Sequence, residues 1–327
     1  MAVAFLAFGT LTTVQAQTDL QAKLTARPLT RGDIAAFKLP STLQLSGGLK
    51  TVGVGEPIYL EAQVNSAYPA GDISGVTWEL TLKPVLAKAS LTDSPLGKDV
   101  KIYEPADRLV AQVAGRSLLV PDMAGEWVVT AGIATKTGTT KVAQTFIAAT
   151  YVGIATCVRC HSGGMAQNMA LSWSKTAHAN LFKDGVNGVA SDHYAASCIA
   201  CHTVGYDTAP GAVNGGFDDV AAQLKWTFPT VQKAGVFEAM PDALKNVANI
   251  QCESCHGPGS VHASTGGSSL AISKSMGSAD CAQCHDAPTH HIKNGEWNNS
   301  RHAVVTRDPS GAGRESCVGC HTGPGFI

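Results

Sequence analysis

The residues best suited to chemistry are ten cysteines, and every one of them lies in the pattern Cys-x-x-Cys-His. The five copies are Cys157-Val-Arg-Cys160-His161, Cys198-Ile-Ala-Cys201-His202, Cys252-Glu-Ser-Cys255-His256, Cys281-Ala-Gln-Cys284-His285 and Cys317-Val-Gly-Cys320-His321. Positions i, i+3 and i+4 fall on one face of a helical turn. Two thiols placed there can each bond a vinyl group on the edge of one porphyrin. The imidazole beside the second thiol then sits under the iron. Each copy reads as a covalent attachment site for haem c, and five such haems are expected. A structural zinc is the main competitor, but it takes four Cys or His ligands, often from two paired knuckles. Five knuckles leave one unpaired, and zinc does not require a histidine after every second cysteine. A redox pair or a disulfide framework would not impose this spacing five times.

A haem iron takes two axial ligands. His161, His202, His256, His285 and His321 supply the first of each pair. Six further histidines, His178, His193, His262, His290, His291 and His302, all lie beyond residue 150. Five of them would make every iron bis-histidine and leave one spare. An internal repeat supports two: His161 is followed by Trp173 and His178, and His285 by Trp297 and His302, at identical offsets of 12 and 17 residues. His262 follows His256 by six residues, and His291 follows His285 by six. That parallel favours His291 over His290, and His193, just ahead of Cys198, completes the set. The spacing leaves open which distal histidine serves which iron. Methionine is the other candidate ligand, with Met165, Met169, Met240 and Met276 available.

These groups need a scaffold. All cysteine and all histidine lies beyond residue 156, so the halves differ chemically. Residues 1–16 read as a signal peptide: Ala2 to Val14 is apolar and uncharged, and Val14-Gln15-Ala16 forms a small-residue cleavage site. The stretch is short for a membrane span, and its missing basic start points to an upstream beginning. Export across the inner membrane, to the periplasm or the cell exterior, is expected. Residues 17–40 read as a polar leader. Residues 41–150 alternate in short runs, at Thr42–Leu45, Pro57–Val64, Val76–Leu82, Ser117–Val120, Glu126–Ala134 and Lys141–Ala149. Such spacing predicts an antiparallel sandwich. Trp127, after Pro121-Asp122-Met123-Ala124-Gly125, gives it an immunoglobulin-like flavour, while core packing accounts for both Trp127 and Trp78. Residues 151–327 predict a haem-packed domain of short helices and coil. Met165, Met169, Trp173 and Ala177 predict a helix, as do Asp218–Lys225 and Pro241–Val247. The net charge of −1 lacks the basic balance of a nucleic-acid binder.

With these residues in view, the region from about 151 to 327 resembles the multihaem c-type cytochromes. It is most similar to the branch holding the tetrahaem electron carrier of ammonia oxidisers, hydroxylamine oxidoreductase and their octahaem relatives. The carrying features are Trp173-x-x-x-x-His178-Ala, Trp297-x-x-x-x-His302-Ala, and Cys255-His256-Gly257-Pro258-Gly259 followed by His262. The resemblance implies close haem pairs, electron hopping and, in some extracellular relatives, conducting filaments. The Cys-x-x-Cys-Lys motif of many pentahaem nitrite reductases is absent, and neither Tyr194 nor Tyr206 matches a crosslinking tyrosine. The chain stops six residues after His321 in a stretch of interior character, so a longer protein is expected.

Saturated bis-histidine irons pass electrons without binding substrate. Electron relay between a membrane donor and a periplasmic or extracellular acceptor is therefore the leading expectation, with a homo-oligomer or filament as a variant in which the β domain is the joint. No catalytic residue is assigned. The alternative is an oxidoreductase acting on a small nitrogen or sulfur compound at one open iron, with His193 or His290 donating protons.

Overall fold

The computed structural model describes residues 19–97, 111–274, 277–287, 291–292 and 297. Residues 1–16, read as a signal peptide, lie outside the described residues.

Seven strands make two sheets. β1 (Ala22–Arg27), β3 (Ile58–Asn65) and β5 (Ala111–Leu119) form the first, in the order β1-β3-β5. β2 (Thr51–Gly53), β4 (Ile73–Leu82), β6 (Gly125–Thr135) and β7 (Gly138–Ala149) form the second, in the order β2-β7-β6-β4. All neighbours are antiparallel except β2 and β7. The sheets share one core. Trp127, Val129, Ala131 and Ile133 stand two apart along β6 and all point inward. They meet Leu24, Ile58, Leu60, Val64 and Leu119 of the other sheet. Trp127 is fully buried, and its indole N–H donates to the Met123 carbonyl at 3.1 Å.

Three local expectations change. Residues 22–27, read as leader, pair with β3 because Leu24 fills the core. Thr42–Leu45 forms no strand; it is a turn, and β2 takes the nearby place beside β7. The helix expected from Met165 to Ala177 shrinks to Met169–Ser174, since Met165 is exposed and nothing packs a longer apolar face.

Beyond residue 153 the chain builds short helices: α2 (Ile154–Cys160), α3 (Met169–Ser174), α4 (Leu181–Val186), α5 (Ile199–His202), α6 (Phe217–Leu224), α7 (Asp242–Lys245), α8 (Cys252–His256), α9 (Ser260–Ser264) and α10 (Ser278–His285). α6 and α7 sit where the sequence places them. Phe182, Val186, Ile199, Phe217, Leu244 and Val247 form a second apolar cluster. Helices this short hold only by tertiary capping. Asn249, in the left-handed region at φ 68°, accepts the Phe182 and Lys183 N–H groups through Oδ1 and so caps α4 from across the fold.

The sheets are joined tightly to this region. The Tyr151 N–H donates to the Asn214 carbonyl at 2.7 Å, and its hydroxyl donates to Glu56 at 2.9 Å. Thr150 and Ser260 exchange two hydrogen bonds. On the other side, α1 (Arg31–Ala36) reaches α10: Arg31 donates to the Gln283 carbonyl, and the Gly32 N–H to Asp286 at 2.8 Å. Among the described residues, no helix is long and apolar enough to cross a membrane.

Candidate haem sites

Four motifs fall within the described residues, and each lies on a helical turn as its spacing requires. α2 carries Cys157 and Cys160 and is capped by His161. Cys198 leads into α5, which ends at His202. α8 is the third motif entire, and α10 ends at His285. The eight described cysteines form no disulfide with one another. Cys317, Cys320, His321, His290 and His302 lie outside the described residues. His291 is in strand β9 (His291–Ile292), opposite Ala287 of β8 (Asp286–Ala287).

The histidines meet in pairs. The rings of His161 and His262 are 6.4 Å apart between centroids, with planes 23° from parallel. Those of His178 and His285 are 6.1 Å apart, at 49°. Two imidazoles sharing one iron, each at a metal–nitrogen bond of roughly 2 Å, would have centroids about 6.3 Å apart. Both pairs match that span, and each joins a motif histidine to a distal candidate. Neither joins neighbours in sequence: His262, next to the third motif, faces the first, and His178, next to the first, faces the fourth. No three His, Cys, Asp or Glu side chains converge as a metal site among the described residues. Two facing imidazoles suffice where a porphyrin supplies the other four donors.

Tautomers follow from the hydrogen bonds. His262 Nδ1 lies 2.8 Å from the Ser268 carbonyl, and His256 Nδ1 lies 2.8 Å from the Ser273 carbonyl. A carbonyl only accepts, so Nδ1 carries the proton and Nε2 keeps the lone pair an iron needs. His202 Nδ1 is instead 3.1 Å from the Tyr194 hydroxyl. His193 has Asp192 at 3.6 Å on an exposed turn. Met165 and Met169 are exposed, and Met240 is buried in the apolar cluster.

The thiols show which motifs are neighbours. The Cys157 and Cys252 thiols lie side by side, as do those of Cys201 and Cys284, and the Cys284 thiol donates to the Cys201 carbonyl at 3.7 Å. The first motif thus abuts the third, and the second abuts the fourth. The neighbouring thiol draws the pKa of Cys252 and of Cys201 down, the latter helped by Arg31. A cavity of about 350 Å³ opens at Cys201 and Cys284, with Arg31, Glu56 and Tyr151 on its sheet side. It reaches one sulfur of the second motif and one of the fourth. The Cys and His donor set and the ring spacing fit haem c.

Several residues that position the motifs carried no recognised signal. Glu253, between the cysteines of the third motif, is buried and accepts N–H groups from Val152, Gly153 and Gly259 at 2.6–3.1 Å. It ties α8 to the start of α2, and so brings Cys252 to Cys157. Burial pushes its pKa up against the pull of these donors. Trp173, noticed only as a repeat, has a visible task. Its indole donates to the Ile250 carbonyl at 2.9 Å, and the Ile250 N–H donates to the His178 carbonyl at 3.1 Å. The Trp-x-x-x-x-His unit therefore clamps the approach to the third motif. Gly257, at φ 77°, brings the chain against the Thr51 carbonyl of β2, where any Cβ would collide.

Asp280, on α10, caps its own helix by accepting from the Gly277 N–H, while its Oδ1 is buried with no hydrogen-bond partner. Burial raises its pKa to about 6, above the roughly 3.9 of an unfolded aspartate. The neutral acid is thus favoured by folding. Its contribution is complete below about pH 4 and is lost as pH rises through about 6. Asp280→Asn is expected to flatten the fall in melting temperature between pH 4 and 7, measured side by side with the wild type.

No family model and no curated protein matches the chain. Among solved structures, a family 123 glycoside hydrolase from Clostridium perfringens aligns over 51% of this chain and 36% of its own, with 11% identity and a TM-score of 0.17. A likeness that slight carries no argument about fold or activity.

Proposed function

We propose that this chain is an exported electron-transfer protein of the multihaem c-type cytochrome kind, with one haem on each Cys-x-x-Cys-His motif. Haem bound there would supply one-electron iron chemistry. The observation that carries the reading is the approach of His161 to His262 and of His178 to His285, with ring centroids at the span of one iron. His161 with His262, and His178 with His285, would each hold one haem iron, and imidazole ligation from both would favour relay over substrate chemistry. The contact of motif one with motif three, and of two with four, favours close haem pairs as stepping stones. The N-terminal sheets, in this reading an immunoglobulin-like sandwich, hold the motifs in register through Tyr151, Arg31 and Gly257. Redox proteins are the natural partners, a membrane donor on one side and a periplasmic or extracellular acceptor on the other.

The test is a haem-to-protein ratio with an EPR spectrum of the oxidised, exported protein. Five haems are expected from the five motifs, with low-spin signals from those on the first and fourth. A protein purified without covalent haem overturns the proposal. A haem count of five with high-spin iron at the first or fourth motif overturns the ligand pairing.

A further inference from the structure

Resting on that reading, we infer that Tyr194 is a positioning residue for the second motif's iron, acting through His202. The Tyr194 hydroxyl is 3.1 Å from His202 Nδ1. The two rings also stack, with centroids 5.3 Å apart and planes at 22°. If Nε2 held the iron, Nδ1 would carry the proton and donate a hydrogen bond to the phenol oxygen. Such a partner fixes the ring's orientation and raises the ligand's electron donation.

Tyr194 is built to stay in place. It is buried, with Phe228 also stacked on it at 6.1 Å and 29°. The backbone of Gly185 in α4 passes so close that a Cβ there would overlap the phenol ring. His256 and His262 donate instead to backbone carbonyls, at the shorter distance of 2.8 Å. The Nδ1 partner of His202 is thus a side chain, and a point substitution can remove it.

Tyr194→Phe keeps the stacked ring and deletes only the acceptor. The imidazole then donates less to ferric iron, so one haem's midpoint potential is expected to rise while the others hold. Spectroelectrochemical titration of the purified holoprotein reads this, with haem stoichiometry as the control. Gly185→Ala, which displaces the ring from α4, is expected to move the same haem in the same direction. In the wild type, NMR is expected to find the His202 Nδ1 proton slow to exchange, which needs no variant to fold. Five haems with every potential unchanged in Tyr194→Phe, or a fast-exchanging His202 proton, overturns the inference and leaves the electron-transfer reading intact. A chain without haem overturns both.

Discussion

Replacing His262 with alanine is expected to convert one haem to high-spin iron and leave the rest as they are. The ring lies 6.4 Å from His161 and is oriented by the Ser268 carbonyl. Its loss empties one axial position without touching any attachment cysteine, so haem content stays constant. About a fifth of the haem should then bind carbon monoxide in the reduced protein, given five motifs. Added imidazole should restore the low-spin spectrum by occupying the gap. His178→Ala is expected to open a different iron, that of the fourth motif. The double variant should therefore open two, because the pairs share no member. Carbon monoxide binding equal to that of the wild type in both single variants would contradict the pairing.

Glu253→Ala is expected to have the largest effect on stability. The carboxylate is buried and satisfies three backbone N–H groups from two separate segments. Its removal strands those donors away from water, at about 1–3 kcal/mol each. The summed loss should be on the order of 3–5 kcal/mol. Denaturant unfolding followed by far-ultraviolet circular dichroism measures it. Glu253→Gln fills the same volume but turns an NH2 group toward one donor, so it should lose less. A midpoint for Glu253→Ala equal to the wild type's would show that water or relaxation serves those groups.

The local shape of the motifs was legible because their residues are fixed at short range. The motif needs only one helical turn, and α2, α5, α8 and α10 supply it. Of the distal candidates, His178 and His262 come beside motif histidines, while His193 sits on an exposed turn. The partners of His178 and His262 were not legible, because His161 meets His262 and His178 meets His285 across about a hundred residues of chain that no local pattern encodes. The later strands were readable from alternation, as Trp127, Val129, Ala131 and Ile133 illustrate. β1 was missed because its sequence, Ala-Lys-Leu-Thr-Ala-Arg, buries one side chain deeply and is otherwise polar. Glu253 and Tyr194 were missed for a related reason. A glutamate inside a motif and a tyrosine ahead of one look like surface residues until the fold brings Val152 and His202 to them.

The two histidine pairs also interleave along the chain, in the order 161, 178, 262, 285. With haem bonded to one motif and ligated from the far side, each pair becomes a crosslink closing a loop of roughly a hundred residues. As a disulfide, a loop of that size would be worth about 4–5 kcal/mol in chain entropy. Interleaved loops do not come apart when the backbone is cut once. A protease nick in the glycine-rich stretch near 211–216 leaves both crosslinks spanning the break, so the halves of a nicked holoprotein should still migrate together under native conditions. The same two halves, made as separate polypeptides, would each hold one histidine of either pair, and neither could complete the first or the fourth iron alone.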